Sequence, residues 1–472
     1  MDQRLSPAPD HHYYFVTGKL AEAAVRSIVD ELADRHGFAY SIGVMPITVA
    51  ALMTPRWIAR HIEIPNGATH MIVPGYCDNG LTELANTVSI PVVAGPRDCR
   101  ELPELFGDQR IEADFGEYSI EILAEINHAP RRSVKDVVAE AGLLRESGAD
   151  LIDFGCDPGA RCREIGTYIR SLCDEGLTVS VDTFDPWEAE EAVRHGASLV
   201  LSVNSSNRKH AADWGVEVVA IPDVPEDFGS LVETVDFLKD ENVPLRIDPI
   251  LEPIGAGFMR SLERYAAARR QFPDVPMMMG IGNLTELTDV DSAGVNLMLL
   301  GICQELGVGS VLTTQVINWA RTSVMECDIA RRLTHYSIKH GVPPKRLSKD
   351  LVLLRDAKLL SFSDEELEVL RRSIRDNNYR ILAQDNSLHL LAAGLHLQDI
   401  DPFRLFDRLM CDPASSNVDS GHAFYLGYEL AKAELALQLG KQYQQDQALN
   451  WGYLTKAEDH HRLKRSSRHR TD

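Results

Sequence analysis

The sequence predicts an α/β chain built around a (β/α)8 TIM barrel, flanked by a small N-terminal parallel α/β domain and a C-terminal α+β region. Two observations carry this expectation. From about residue 119, short aliphatic or β-branched runs alternate with helical stretches, and eight such pairs fit into about 210 residues. Four segments, VSVDT (179–183), LSVNSS (201–206), IDPI (247–250) and MGIGN (279–283), each place a polar group where an apolar run stops. In a barrel of parallel strands the active-site groups project from the strands' C-terminal ends, so polar residues recurring there mark one shared cavity. An open doubly wound sheet, the alternative topology, would keep its site at the same ends.

The N-terminal domain is assigned to residues 1–115 on a smaller alternating pattern. YYFVTG is followed by a helix to about Arg35, then FAYSIGV, a helix over Val49–His61, THMIVPG, a short helix and IPVVAG. Its strand-end loops carry Thr17, Gly18 and Lys19, then Pro46 and Thr48, then Gly75, Tyr76, Cys77 and Asp78. Thr-Gly-Lys opening a helix is a place for an anion on helix-end amides, but without the longer glycine spacing of a phosphate loop a tight structural turn is the expectation.

The barrel is assigned to residues 116–332, with strands expected at Ile120–Ile126, Leu151–Phe154, Thr178–Asp182, Ser198–Val203, Val216–Ile221, Leu245–Asp248, Met277–Gly280 and Ser310–Leu312. The intervening helices are expected at Ser133–Ser147, Arg163–Asp174, Trp187–His195, Ser206–Asp213, Gly229–Lys239, Phe258–Gln271, Asp289–Leu306 and Val316–Arg332. Residues 333–455 form the C-terminal domain. There Leu351–Leu360, Asp364–Ile374 and His422–Gln447 read as helices, and AQDNS (383–387) splits two apolar runs as a hairpin turn would. Leu426, Leu430, Ala433, Leu437 and Gly440 fall near one face of the long helix, a stripe for packing against its own domain or a second subunit. The basic, His-rich tail 456–472 has no apolar periodicity and reads as a disordered end.

Lys plus Arg 48 against Asp plus Glu 70 leaves a net charge of −22, which repels a phosphate backbone and argues against nucleic acid as a partner. The eight cysteines show no CxxC spacing, the N-terminus has no basic-then-apolar leader pattern, and no apolar run approaches a bilayer span. The expectation is a cytoplasmic chain with no membrane role. Cys156, Cys162 and His128 could approach one another as zinc ligands, but their spacing matches no standard site. Phe184 and Trp187 at the third rim are expected to pack rather than to stack on a ligand.

Asp182, Asn204 and Asp248 end the third, fourth and sixth strands, so their side chains should converge on one cavity offering acceptors and a donor. A carboxylate accepts two parallel hydrogen bonds from a ring N–H and an adjacent NH2, while an amide donates to one ring nitrogen and accepts from another N–H. A flat heterocycle is the natural guest.

Residues 119–325 carry a family resemblance. EINHAP (125–130) resembles the first-strand LNVTP motif of dihydropteroate synthase, ADLIDFG (149–155) its IDVGGES segment and VSVDT (179–183) its ISVDT. SVNSS (202–206) stands where that family has IND, and IDPILEPIGAGF (247–258) where it has LDPGFGFGK. The resemblance implies the pterin-binding enzyme superfamily, with Asp182, Asn204 and Asp248 holding the pterin beside Gly280 and Asn283. It also implies catalytic roles for Asn127, at the magnesium and leaving diphosphate, and for Asp153 nearby.

The chain departs from the family after strands seven and eight. GIGNLTEL (280–287) replaces a lysine-bearing GMSRKS and SVLTTQV (310–316) an arginine-bearing RVHD; Arg260, Arg264 and Arg321 are the candidates for the vacated anion-binding role. Over nearly the full length the arrangement is similar to the dihydropteroate synthase-related proteins of tetrahydromethanopterin-dependent one-carbon metabolism. That resemblance implies a transferase joining a dihydropterin methyl diphosphate to an arylamine, 4-(β-D-ribofuranosyl)aminobenzene 5'-phosphate, with Mg2+, in a homodimer. GIGN is also similar to the GxSN element of pterin-dependent methyltransferases, and a pterin binder without catalysis is the third reading.

Overall fold

The computed structural model describes residues 5–77, 80–109, 115–345, 347–348, 350–356, 358–376 and 378–458. Asp78 of the third N-terminal loop and residues 459–472 of the basic tail lie outside the described residues. The chain divides into two compact units, residues 1–347 and 348–472.

Unit one opens with a parallel sheet of β1 (His12–Gly18), β2 (Ala39–Met45), β3 (His70–Val73) and β4 (Val92–Ala94), in the order β2-β1-β3-β4. The strands are nearly continuous apolar runs because helices cover both faces, as a parallel sheet requires. Tyr13 and Phe15 pack to one side with Val25, Val29 and Leu32 of helix Glu22–His36. Tyr14 and Val16 pack to the other side with Met45 and Ile58. The Thr17-Gly18-Lys19 turn is structural: the Lys19 and Leu20 amides donate to the Ile47 and Thr48 carbonyls, each at 3.0 Å, so no anion cradle remains there.

The eight barrel strands are β5 (Glu121–Ile126), β6 (Leu151–Gly155), β7 (Val179–Asp182), β8 (Leu199–Val203), β9 (Glu217–Ala220), β10 (Leu245–Ile247), β11 (Met278–Gly280) and β12 (Ser310–Thr314). They pair in parallel in the order β10-β9-β8-β7-β6-β5-β12-β11, and a bridge between Ile247 and Met277 joins the two edges. The sheet is therefore nearly closed into a barrel. The period-two alternation of each strand sorts its residues between two cores. Ile122, Ala124 and Ile126 face the helices, while Leu123 joins Leu151, Leu199, Leu201, Val219 and Met278 inside. Below this apolar layer Arg246 binds Glu217 at 2.6 Å and Glu121 at 3.1 Å. Above it the inward rows end on the polar groups of the mouth.

The seventh connection differs from the expected single helix. A short helix, Gly282–Thr285, precedes Ser292–Leu306, because β11 runs directly into Gly-Ile-Gly-Asn. The last barrel helix, Ser323–His340, continues past 332 until Gly341 adopts a left-handed conformation. Near the barrel's opposite end it contributes Arg331, which is 1% exposed and binds Asp150, Asp328 and the carbonyls of Ile120 and Gly148.

Unit two is a three-stranded antiparallel sheet, β13 (Arg380–Gln384), β14 (Ser387–Ala392) and β15 (Leu395–Asp399), covered by helices. The expected hairpin turns on Asp385 and Asn386, both at positive φ. The third strand and helix Pro402–Met410 are additions to the sequence expectation. Residues 351–356 and 358–360 are not helical, which corrects the expectation for Leu351–Leu360. The long helix runs Ser420–Leu439, ending at a left-handed Gly440 rather than at Gln447. Its stripe packs inside the unit, with Leu426, Leu430 and Ala433 against Ile381, Leu388 and Leu390. No helix among the described residues is long and apolar enough to cross a membrane.

Candidate functional site at the barrel mouth

The C-terminal ends of the barrel strands gather carboxylates, and each is fixed by a neighbouring strand or helix. Asp153, fully buried on β6, accepts a 2.6 Å hydrogen bond from Ser180 on β7, and its second oxygen has no hydrogen-bond partner. Asp182 on β7 accepts one of 2.5 Å from Ser202, which sits at φ 64 in a bulge that interrupts the β8–β9 register. A bulge re-aims a side chain at a barrel rim. Here it turns the Ser202 hydroxyl onto Asp182.

Asp248, just past β10, accepts bonds of 2.5 Å from the Tyr265 hydroxyl and 2.8 Å from the Ile250 amide on the same oxygen. A Cβ at Gly280 would lie 3.6 Å from the other oxygen of Asp248 and 3.9 Å from the Asn283 amide nitrogen. Asp248, Gly280 and Asn283 therefore share one side of the mouth. On another side, a Cβ at Gly155 would meet the Glu125 carboxylate at 2.8 Å and the Asn127 Cα at 3.5 Å.

Crowding and burial raise the proton affinity of this cluster. Glu125 is pushed up to about 7 by burial and by the charges of Asp182 and Glu286. Asp153 is pushed well above the usual carboxylate range by burial, Asp182 and Glu125, against the pull of the Ser180 bond. Burial also raises Asp182, and it raises Asp248 to about 6 despite the donors on it. Like charges in a low-dielectric environment cannot all ionise, so the cluster holds its protons more tightly than free carboxylates do.

Asn204 is half committed. Its side-chain oxygen accepts from both the amide (3.0 Å) and the hydroxyl (2.6 Å) of Ser206, so the amide can present only its NH2 to a guest. This corrects the expectation that it both donates and accepts. Asn283 donates to the Leu251 carbonyl at 3.1 Å, tying the seventh rim to the sixth.

The three arginine candidates do not converge. Arg264 binds Glu252 at 2.7 Å and the Pro249 and Ile250 carbonyls, which fixes the loop after β10. Arg260 is exposed and reaches the Ala256 carbonyl at 3.3 Å, and Arg321 is exposed beyond the eighth rim. The basic side chains at the first and second rims are others: His128 and Arg131, both on Asp157, and Arg161 on Asp185.

Sequence reasoning missed Glu125, Ser202, Arg131 and Arg161, and named His128 only as a candidate zinc ligand. Glu125 had a signal, since it falls two residues before Asn127 and two after the inward Leu123. Phe184 and Trp187, expected to pack, are 56% and 36% exposed, because Asp185 caps the following helix and Pro186 opens it outside the core. His128 faces Asp157, and burial holds the Cys156 thiol protonated. Among the described residues, no group of three or more His, Cys, Asp or Glu side chains has metal-holding geometry.

Fold and site together define a (β/α)8 barrel protein with a cluster of buried carboxylates at the strands' C-terminal ends. Residues 11–97 match a family of unknown function, DUF6513. The chain is 26% identical to an uncharacterized protein of Methanocaldococcus jannaschii, over 91% of this chain and 97% of that one. It is 29% identical over 157 residues to the dihydropteroate synthase of Bacillus subtilis, which covers 27% of this chain and about half (53%) of that enzyme. Similar solved structures include the Xanthomonas albilineans dihydropteroate synthase in complex with 7,8-dihydropteroate, at 23% identity, 48% and 95% coverage of the two chains and a TM-score of 0.38. The Yersinia pestis enzyme with a pterine-sulfa conjugate is another, at 16% identity, 48% and 96% coverage and a TM-score of 0.38.

Proposed function

We propose that this chain is a pterin-binding transferase of the dihydropteroate synthase type. It would condense a 7,8-dihydropterin-6-methyl diphosphate with an arylamine, 4-(β-D-ribofuranosyl)aminobenzene 5'-phosphate, in tetrahydromethanopterin biosynthesis. The observation that carries the reading is the pair Asp182 and Asp248. Both stand at the mouth of one barrel, each is oriented by a hydroxyl, and Gly280 leaves space beside the second. Two fixed acceptors with the Asn204 NH2 suit the N–H and NH2 edge and the ring nitrogens of a pterin. The motif resemblance and the partial match to a dihydropteroate synthase support the same guest.

The leaving diphosphate falls to the first rim in this reading. Asn127 is followed by His128 at φ 50 and by Arg131 on the next turn, so an amide, an imidazole and a guanidinium follow each other along five residues of chain, 127–131. The Glu125 carboxylate and the Asn127 backbone approach each other at Gly155, and a carboxylate with an amide oxygen would suit a hard cation such as Mg2+, which takes one or two protein oxygens and completes its shell with phosphate and water. When bound there, Mg2+ would neutralise charge on the departing diphosphate. The protein's own part is orientation: Asp182, Asp248 and Asn204 fix the ring, and the aniline nitrogen needs alignment more than a strong base.

A pterin binder without catalysis is the second reading. It is favoured by the seventh rim, where Glu286 faces Glu125 electrostatically and no lysine follows β11. Diphosphate release by the purified chain with Mg2+ and dihydropterin methyl diphosphate separates the readings. Release with the ribosylated arylamine alone supports the proposal, and release with p-aminobenzoate makes the chain a folate-type enzyme. Pterin binding with no release for either amine leaves the binder or methyl transfer, and the absence of pterin binding refutes all of them.

A further inference from the structure

Asn207, in the loop after β8, stands at the N-cap of helix Arg208–Trp214. An asparagine there ordinarily accepts a hydrogen bond from the first backbone amides of its helix. Asn207 makes no such bond. Its side chain, only 1% exposed, turns back along the chain and bridges residues 202 and 204. The oxygen accepts from the Asn204 backbone amide at 2.9 Å, and the NH2 donates to the Ser202 carbonyl at 3.2 Å. Only an oxygen can accept from a backbone N–H, so the partners themselves fix which way the amide faces.

The bridged segment is strained. Ser202 lies at φ 64, where a Cβ is crowded, and the β8–β9 register breaks between Val200 and Val203. Such a conformation persists only where its surroundings over-determine it, and the Asn207 amide grips the backbone on both sides of the bulge. Both ends of the bridge also carry groups of the barrel mouth. The Ser202 hydroxyl donates to Asp182 at 2.5 Å, and Asn204, its side-chain oxygen held by Ser206, keeps its NH2 for a guest. One buried amide therefore sets the spacing between an acceptor on the third rim and a donor on the fourth. A flat ring that meets both at once needs that spacing held, because hydrogen bonds weaken steeply as their angles depart from linearity.

We infer that Asn207 is a positioning residue of the barrel mouth: it holds the Ser202–Asn204 bulge and, through it, the placement of Asp182 and Asn204 toward the guest. The inference rests on the pterin-binding reading. The test measures binding of 6-hydroxymethyl-7,8-dihydropterin to the full-length chain by calorimetry. Asn207→Ser can cap the helix in the ordinary way but is too short to bridge the bulge, so it separates positioning from helix stability. It is expected to weaken the pterin about tenfold in a folded protein, as judged by thermal denaturation. Ser202→Gly keeps a backbone that suits φ 64 and removes only the hydroxyl. Its loss, again about tenfold, should disappear in an Asp182→Ala background, because the hydroxyl acts through that carboxylate. The loss from Asn207→Ser should shrink there as well, which a merely structural role would not produce. If Asn207→Ser does not fold, Asn207→Asp takes its place, since it too can cap the helix and cannot donate to the Ser202 carbonyl. Unchanged affinity in the folded variants, or losses that add in full to that of Asp182→Ala, would overturn the inference while leaving the pterin reading in place. A wild type that binds no pterin would overturn both.

Discussion

Glu125 makes the barrel mouth less stable as it ionises, and the size of the effect follows from its surroundings. A group whose proton affinity is higher in the folded than in the unfolded chain stabilises the fold while protonated, and that contribution is lost as pH rises through its folded value. Raised from 4.5 to about 7, at about 1.4 kcal/mol per pH unit, Glu125 costs the folded state about 3 kcal/mol once ionised. Its neighbours share the same protons, so this is an upper value. Glu125→Gln keeps the shape, removes the charge and relieves Asp153, which Glu125 also raises. The expected outcome is equal urea stability of wild type and variant at about pH 4.5. Between that pH and about pH 8 the wild type should lose up to about 3 kcal/mol relative to the variant. Parallel pH profiles would falsify the placement of Glu125 in the carboxylate cluster, and greater stability of the wild type at high pH would reverse the sign of its surroundings.

Three further outcomes follow from other contacts. Asp182→Ala and Asp248→Ala should each weaken binding of a 6-substituted dihydropterin by about 1–3 kcal/mol, read by calorimetry, because each leaves paired donors unsatisfied. With Asp248 at about 6, pterin binding should fall as pH drops through that value. Tyr265→Phe, by removing a donor that favours the ionised form, should move the fall to higher pH. Arg331→Met should cost about 3 kcal/mol in urea unfolding, since it strands Asp150 and two carbonyls, and Arg331→Lys should not restore the loss because one ammonium cannot replace a guanidinium that reaches four partners over Tyr118. Asn386→Val should raise the hydrogen-exchange rates of the β13–β14 amides, corresponding to about 1 kcal/mol, whereas Asn386→Gly should not, because its φ of 57 favours Gly and Asn and strains a β-branched residue.

The strands were legible because each is a short run of fixed parity between turn signals. The expected strands Thr178–Asp182 and Ser198–Val203 end at or next to the polar Asp182 and Asn204, within one residue of the observed Val179–Asp182 and Leu199–Val203. Asp182 and Asp248 could be named for the same reason: each is the polar residue at the end of an inward row. Leu351–Leu360 misled because its Leu, Val and Ala content favours a helix, yet nothing in that stretch sets the apolar spacing or caps its start. By contrast Ser363 with Glu366 forms a capping box, and the helix from Asp364 is where the sequence puts it.

What the sequence could not show are choices made by groups distant along the chain. Ser202 faces Asp182 only because a bulge in β8 turns it inward, and Tyr265 reaches Asp248 from a helix 17 residues later. Arg264 resembles an anion ligand until the loop after β10 folds back and takes its guanidinium. Asn207 has the residue type of a helix cap, yet the break in the β8–β9 register gives its amide other partners. Alternation of apolar and polar residues determined the βα units, their order and the end of the barrel that carries chemistry, since side-chain parity is a local property of an extended strand. Which carboxylate keeps its proton, which arginine stays available and which asparagine gives up its helix were decided by how the barrel curls and its rim loops pack. Those outcomes depend on distances between side chains, and distance is set by the tertiary fold.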